Sequence, residues 1–245
     1  MNNTRTKLQY DICKTDNKAV PVIIVAAGNS TRMNGINKQF MPIIGVPVIA
    51  RTLLTFEACN NISKIIIVTA RESVLDMQLV CDKYMISKVT DIVEGGTNRH
   101  ESVMNGIARL AESEKKVLIH DGARPFISID TISEVVCALE DYDAALCVSK
   151  INDTVKMIDD NGLVKDTVNR SMLYAAQTPQ GVDVTKYKHA CETIENIDLF
   201  TDDASIMETA GYSVKAIVGS GKNIKITTPD DISIAEAIVK GEEEQ

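Results

Sequence analysis

Apolar positions fall into short runs alternating with stretches of helical spacing. Val20–Ala27 (VPVIIVAA) is continuously apolar and mostly β-branched, as in a strand covered on both faces. Lys64–Thr69 (KIIIVT) repeats that signature, and Lys88–Val93, Val117–His120 and Ala144–Ser149 also read as strands. Between them, Pro47–Cys59, Ser73–Tyr84, Arg99–Ala111 and Thr131–Glu140 have helical spacing, with Pro47 suited to a first turn. The alternation predicts an α/β fold: a mainly parallel sheet with helices on both faces. Right-handed crossovers then bring the loops at Gly28, Gly95 and Asp121 to one sheet edge, where such folds bind ligands.

The rhythm breaks between Ile151 and Tyr174. Thr154–Ile158 and Leu163–Val168 flank Asp160-Asn161-Gly162, a hairpin pattern whose turn can take positive φ at Asn161 and Gly162. Two readings stand: an arm that docks on another subunit, or an antiparallel edge of the chain's own sheet. The pattern resumes with a helix over Thr201–Ala210, strands over Val214–Val218 and Asn223–Thr227, and a last helix over Pro229–Lys240 with Thr228 as N-cap.

Composition narrows the classes. The chain has 245 residues, 44% of them apolar and 24% charged, in the ordinary range for a globular protein that can bury a sizeable core. A net charge of −8 argues against a nucleic-acid-binding face. Six cysteines form no C-x-x-C pair, and the three histidines do not cluster, so buried reduced thiols are expected and no zinc site. No apolar run is long enough to span a bilayer, so no membrane partner is expected. Residues 1–19 lack the apolar core of a signal peptide and read as a polar, poorly ordered extension of a cytoplasmic protein.

Five segments can carry chemistry. In Ala26-Ala27-Gly28-Asn29-Ser30-Thr31-Arg32-Met33, followed by Lys38-Gln39, small residues at a strand end let backbone N–H groups approach an anion, and Arg32 and Lys38 add cations. The loop lacks both the Walker pattern and G-x-G-x-x-G, as does Gly219-Ser220-Gly221-Lys222. Gly95-Gly96-Thr97-Asn98-Arg99-His100-Glu101-Ser102 fits a helix N-cap as well as a ligand loop, with Thr97 and Ser102 able to bond a base or ribose. In His120-Asp121-Gly122-Ala123-Arg124, Asp121 is the best Mg²⁺ candidate or else an ion-pair partner of Arg124; His120 reads as a satisfied strand-end residue. Asn169-Arg170 with Ala176-Gln177-Thr178-Pro179-Gln180, and Asn223–Asp231, complete the set. In the last, Lys225 alternates with apolar neighbours and so projects away from them.

Read in order, AAGNSTRM…KQ, GGTNRHESV, HDGARPF, NDTVK, VNR…AQTPQ, TDDAS and NIKITTPDD resemble the 2-C-methyl-D-erythritol 4-phosphate cytidylyltransferases of isoprenoid biosynthesis, from about residue 20 to 240. The resemblance implies a Rossmann-like nucleotidyltransferase fold in a single domain over 20–245, with an inserted β-hairpin arm at about 150–174 that forms a homodimer. It implies that Ala26, Ala27, Gly28, Gly96, Thr97 and Ser102 bind the CTP, that Arg32, Lys38 and Lys225 are catalytic cations, and that Asp121 holds Mg²⁺. It further implies that Arg124, Thr154, Arg170 and Thr178 contact the sugar-alcohol phosphate, with Thr154 and Arg170 reaching across the dimer. Ser30, Thr31, Asn37 and Thr97 depart from the residues usual at those positions. Ribitol-5-phosphate cytidylyltransferases share the scaffold, but HDGARPF and YAAQTPQ lean to the methylerythritol branch. A nucleotide-binding regulator without activity remains a further reading, and a dinucleotide-dependent oxidoreductase would need the missing glycine fingerprint.

Overall fold

The computed structural model describes residues 19–28 and 37–243. The polar extension expected over residues 1–19 lies, apart from Ala19, outside the described residues, as does Arg32.

Seven strands form one sheet: β1 (Val20–Ala26), β4 (Ile62–Thr69), β5 (Val89–Glu94), β6 (Lys116–Asp121), β7 (Ala144–Lys150), β10 (Tyr174–Asp183) and β11 (Val214–Val218). Their order is β11-β7-β10-β6-β1-β4-β5. All neighbours run parallel except β10, which is antiparallel to both β6 and β7. The two short strands β2 (Pro42–Ile43) and β3 (Val46–Pro47) form a separate ribbon.

Burial on both faces follows from the apolar runs. Along β1, Val22, Ile24 and Ala26 face one layer and Ile23 the other. The first layer is α1 (Val48–Ala58), α2 (Val74–Lys83) and α4 (Ile129–Ala138), whose Leu53, Phe56, Met77, Ile132 and Val135 close the core. The second is α3 (Arg99–Ile107), α5 (Val184–Thr193) and α6 (Asp203–Thr209), through Val103, Ile107, Tyr187 and Met207. Helix starts carry the caps that satisfy free N–H groups: Asn98, Ser128, Asp183 and Asp202 each accept from a backbone N–H three residues on. A small third cluster joins α7 (Pro229–Glu243) to the ribbon and to the loop after β6. In it Ala235 and Val239 pack with Ile43, Val48, Ala123 and Ile226.

Four sequence expectations need correction. Asn223–Thr227 is not a strand. Ile226 is buried in the third cluster and only its N–H bonds across, to Ala123 O at 2.8 Å, so burial against α7 produced the alternation. Lys225 is nonetheless exposed between buried and half-buried neighbours, as expected. The hairpin exists as β8 (Lys156–Ile158) and β9 (Val164–Thr167), antiparallel, but it pairs with neither edge of the large sheet. Its turn takes positive φ at Gly162 and not at Asn161, because Asp159 closes it: Asp159 O accepts from Gly162 N, and Asp159 Oδ1 accepts from Asn161 N and Leu163 N. Lastly, β10 and α5 carry no expected element. β10 holds Pro179, Gly181 and the polar Gln177, Thr178, Gln180 and Asp183 in place of an apolar run, and its ladder with β7 shifts register between Ala176 and Gln180.

Candidate active site

Parallel register sets the strand ends level. Ala26 lies opposite Thr69, Thr69 opposite Glu94, and Val25 opposite Asp121. The loops that follow enclose a cleft of about 270 Å³ lined by Ala27, Gly28, Lys38, Gln39, Gly96 to Arg99, Ser102, Asp121, Ala123 and Lys225.

Gly95 lets the first and second loops touch, and Gly96 lets the second fold against its own helix. A Cβ on Gly95 would stand 2.4 Å from Ala27 Cβ, and one on Gly96 would stand 2.2 Å from Glu101 Cβ. The second loop is braced by its own polar groups. Gly96 N donates to Ser102 Oγ at 3.0 Å, Ser102 Oγ donates to Asn98 O at 2.9 Å, and both Thr97 N and Oγ1 donate to Glu101 Oε2 at 2.7 Å. Those bonds from Thr97 hold the Glu101 carboxyl below the usual range. The N-cap reading of this segment is therefore correct, and the cap stands at the cleft wall.

Lys38 opens a 3₁₀ turn whose cap is Asn37: Asn37 Oδ1 accepts from Gln39 N at 3.1 Å, and Asn37 Nδ2 donates to Ser73 Oγ at 3.0 Å. An asparagine in this position thus anchors the turn that carries Lys38. Gln39 is buried, with no hydrogen-bond partner for its Oε1 among the described residues.

Asp121 ends β6 as a buried carboxylate between cations. Its Oδ2 lies 2.9 Å from Lys225 Nζ and 3.4 Å from Arg124 Nε. Burial alone would raise its pKa; Lys225, Arg99 and Arg124 outweigh that and hold it well below the usual carboxylate range. The expected Asp121–Arg124 pair is present, and Lys225 is the nearer partner. Arg124 also donates to Asn223 O at 2.9 Å, and Asn223 Nδ2 to Thr178 O at 2.9 Å, so the Lys225 segment is tied to both β6 and β10.

His120 is fully buried against the Phe56 ring edge. Its Nε2 donates to Arg124 O at 3.2 Å, which leaves Nδ1 to accept from Thr178 Oγ1 at 3.1 Å; Thr178 Oγ1 accepts in turn from Asp121 N at 3.0 Å. Burial pushes the imidazole down to about 4, so it is neutral near pH 7. Thr178 does not line the cleft; its hydroxyl fixes the backbone under Asp121.

Of the expected residues, the cleft brings together Ala27, Gly28, Lys38, Gly96, Thr97, Ser102, Asp121 and Lys225. Ala26 and Arg124 stand just behind them. Thr154 and Arg170 are exposed on the arm segment, where the Arg170 guanidinium donates to Asn152 O, and neither reaches the cleft of its own chain. The sequence reading gave no role to Arg99, which lines the cleft, or to its partner Asp203, completely buried at the start of α6. A pair of adjacent acids opening a helix was the available signal; it looks like an ordinary cap, and Asp202 is that cap.

The model of the family described as 2-C-methyl-D-erythritol 4-phosphate cytidylyltransferase (IspD) matches residues 20–241. Among curated relatives, the protein of that name from Clostridium novyi is 42% identical over 222 residues, covering 89% of this chain and 95% of its own. The one from Geobacillus kaustophilus is 42% identical over 220 residues, covering 89% and 95%. Among solved structures, 4-diphosphocytidyl-2C-methyl-D-erythritol synthase from Anaerococcus prevotii superposes with a TM-score of 0.79 at 32% identity, covering 91% of this chain and 96% of that one. The match spans every strand of the sheet and every loop around the cleft, and the chain belongs to the 2-C-methyl-D-erythritol 4-phosphate cytidylyltransferase family.

Proposed function

We propose that the chain transfers CMP from CTP to 2-C-methyl-D-erythritol 4-phosphate, releasing pyrophosphate, as a step of isoprenoid biosynthesis. The observation that carries this reading is the cleft itself. Ala27, Gly28 and Gly96 line it together with Lys38, Lys225 and Asp121, the last two paired at 2.9 Å.

The reaction is an in-line displacement. An oxygen of the acceptor's phosphate forms a bond to the α-phosphorus of CTP, and the bond from that phosphorus to its bridging oxygen breaks, releasing pyrophosphate. A phosphate monoester is already anionic near neutrality, so no side chain need remove a proton. The obstacle is charge, two anions approaching while negative charge builds at the α-phosphorus. Preorganised cations in a water-poor cleft lower that barrier most effectively. Lys38 lines the cleft with the loops assigned to the nucleotide, and Lys225 is held at the same cleft by Asp121. Arg32, the other cation assigned here, lies outside the described residues.

Mg²⁺ is proposed as the metal. The donor set fits: among the described residues Asp121 is the one carboxylate lining the cleft, and no group of three or more His, Cys, Asp or Glu gathers. Mg²⁺ characteristically takes one or two carboxylates and completes its shell with waters and substrate phosphates. Asp121 would hold it, and bound there it would neutralise phosphate oxygens.

The arm at about 150–174 is proposed to dock on a second copy, bringing Thr154 and Arg170 to the partner's acceptor. Met157, Ile158, Leu163, Val164 and Met172 are all exposed on it, an apolar surface suited to burial. The cytoplasm is the proposed compartment, where the free thiols among the described residues, at Cys59, Cys81, Cys137, Cys147 and Cys191, stay reduced. Among the described residues no helix is long and apolar enough to cross a membrane.

A pyrophosphate-release assay tests the assignment, with CTP and either 2-C-methyl-D-erythritol 4-phosphate or ribitol 5-phosphate, before and after chelation of divalent cations. Turnover should be strong with the first acceptor, weak with the second, and abolished by the chelator. Preference for ribitol phosphate, or CTP binding without pyrophosphate release, would overturn it.

A further inference from the structure

The segment that carries Lys225 belongs to no strand, so no ladder fixes it. Residues 223 to 226 are held by single bonds instead. Ile226 N donates to Ala123 O at 2.8 Å, Arg124 Nη1 donates to Asn223 O at 2.9 Å, and Asn223 N donates to Ser220 O at 3.1 Å. The first two tie the segment to the loop after β6. Among the described residues, its hydrogen bonds to β10 all come from the buried Asn223 side chain.

Asn223 Nδ2 donates to Thr178 O at 2.9 Å and to Gln177 Oε1 at 3.1 Å, so both amide hydrogens are in use. A backbone carbonyl can only accept, which fixes the orientation of the Asn223 amide. Gln177 Nε2 donates in turn to Ser149 Oγ at 3.2 Å. The two amides therefore bridge the place where the β10–β7 ladder shifts register, between Ala176 and Gln180. Thr178 is also the residue whose hydroxyl accepts from Asp121 N at 3.0 Å. Both members of the Asp121–Lys225 ion pair are thus referred to one residue of β10: Asp121 through the Thr178 hydroxyl, Lys225 through the Thr178 carbonyl and Asn223. Stability alone does not account for an asparagine here. Its Oδ1 is buried without a hydrogen-bond partner among the described residues, and an unmet buried acceptor lowers stability.

We propose that Asn223 is a positioning residue for the transfer reaction. Its amide anchors the peptide carrying Lys225 to Thr178, so the Lys225 ammonium keeps one placement against the Asp121 carboxylate while charge builds on the reacting phosphates. A preorganised cation stabilises that charge because it need not move at the moment of reaction. Asn223 itself is absent from the cleft lining and acts through Lys225. The proposal rests on the reading above that Lys225 is a catalytic cation.

The test uses the full chain with Asn223→Ala, Lys225→Ala and the double substitution. Asn223→Ala should lower kcat by roughly tenfold to 100-fold, the scale of a misplacement of up to about 1 Å, with KM for CTP within about twofold of wild type. In the Lys225→Ala background the same change should cost no more than about twofold, since both act through one group. A crystal structure of Asn223→Ala gives a readout independent of turnover: the Lys225–Asp121 contact, 2.9 Å in the wild type, should be lost. If the wild-type protein releases no pyrophosphate with any acceptor, the proposed function fails, and the crystal structure still decides whether Asn223 places Lys225. If Asn223→Ala does not fold, Asn223→Asp and Asn223→Ser take its place. The first sets a carboxylate oxygen against Thr178 O and Gln177 Oε1, and the second shortens the donor out of reach. Wild-type kcat in a folded variant, an undiminished effect in the Lys225→Ala background, an intact Lys225–Asp121 contact, or a lowered melting temperature with unchanged kcat would each overturn the proposal.

Discussion

A single methyl group added at Gly95 should disable the nucleotide side of the cleft. An alanine Cβ there would meet Ala27 Cβ at 2.4 Å, Ser102 Oγ at 3.0 Å and Thr69 O at 3.6 Å. Two carbon atoms rest at about 3.5–4.0 Å, so the contact is short by more than about 1 Å. Ala27 Cβ is fixed to the backbone and cannot rotate away. The loop after β1 must therefore separate from the loop after β5, and Ser102 Oγ, which Gly96 N uses as its acceptor, is pressed at the same time. Overpacking of this kind costs about 1–3 kcal/mol. For a chain of this length, that lowers the melting temperature by roughly 2–12 °C. Activity should suffer more than stability, because a displacement of about 1 Å in a positioning element can cost about 100-fold in rate. The assay is steady-state pyrophosphate release with CTP varied, alongside thermal unfolding. kcat/KM for CTP should fall about 100-fold by that argument. Gly221→Ala is the control, since a Cβ there meets nothing within 4 Å. Wild-type kcat/KM in Gly95→Ala would refute the claim that the two loops must touch for the nucleotide to bind.

Lys225→Ala should lower kcat by about 10²–10³ with little change in melting temperature, because Asp121 keeps Arg124 as a partner; near-wild-type turnover would remove Lys225 from the mechanism. His120 gives a pH dependence of definite sign. Its folded pKa, about 4, lies below the usual 6.5, so between those values the unfolded chain takes up a proton that the fold refuses. The contribution is complete above 6.5, is lost as pH falls towards about 4, and corresponds to about 3 kcal/mol. Urea midpoints measured from pH 7 to 4 should fall less steeply in His120→Gln than in wild type, and parallel curves would contradict the assignment. Ile158→Asp should leave the melting curve of the sheet domain in place and shift sedimentation towards a monomer; an unchanged sedimentation coefficient would speak against the docking arm.

The apolar runs made most of the sheet readable. β1, β4, β6 and β7 sit where apolar runs predict them, because a strand covered on both faces must be apolar; β5 and β11, at the two edges, carry polar residues and were marked by their β-branched positions. β10 was not readable for the complementary reason. Gln177, Thr178 and Gln180 are buried there, and each is satisfied by a partner distant in sequence: Asn223, His120 or the start of α6. Periodicity cannot report a polar residue that is buried because another polar residue is buried beside it. The same limit hid Arg99 and Asp203, which are 104 residues apart and acquire meaning only when α3 and α6 meet. Asp121 and Lys225 were legible because one ends a strand and the other stands in an apolar alternation; Lys38 was legible as a cation following the glycine loop after β1. Asn223–Thr227 misled because burial of Ile226 against α7 imitates the period of a strand.

The reversed direction of β10 also constrains where the arm can be rooted. β6 and β7 both leave the sheet at the edge that carries the cleft, and β10, running the other way, must enter the sheet at that same edge. Tyr174 lies opposite Lys150 there. Whatever chain joins Lys150 to Tyr174 therefore starts and finishes beside the reaction centre, whatever its length or sequence. Strand polarity thus makes this connection a site for evolutionary insertion that always emerges next to the chemistry. Force applied to the arm enters the fold four residues before Thr178, whose hydroxyl holds the Asp121 backbone.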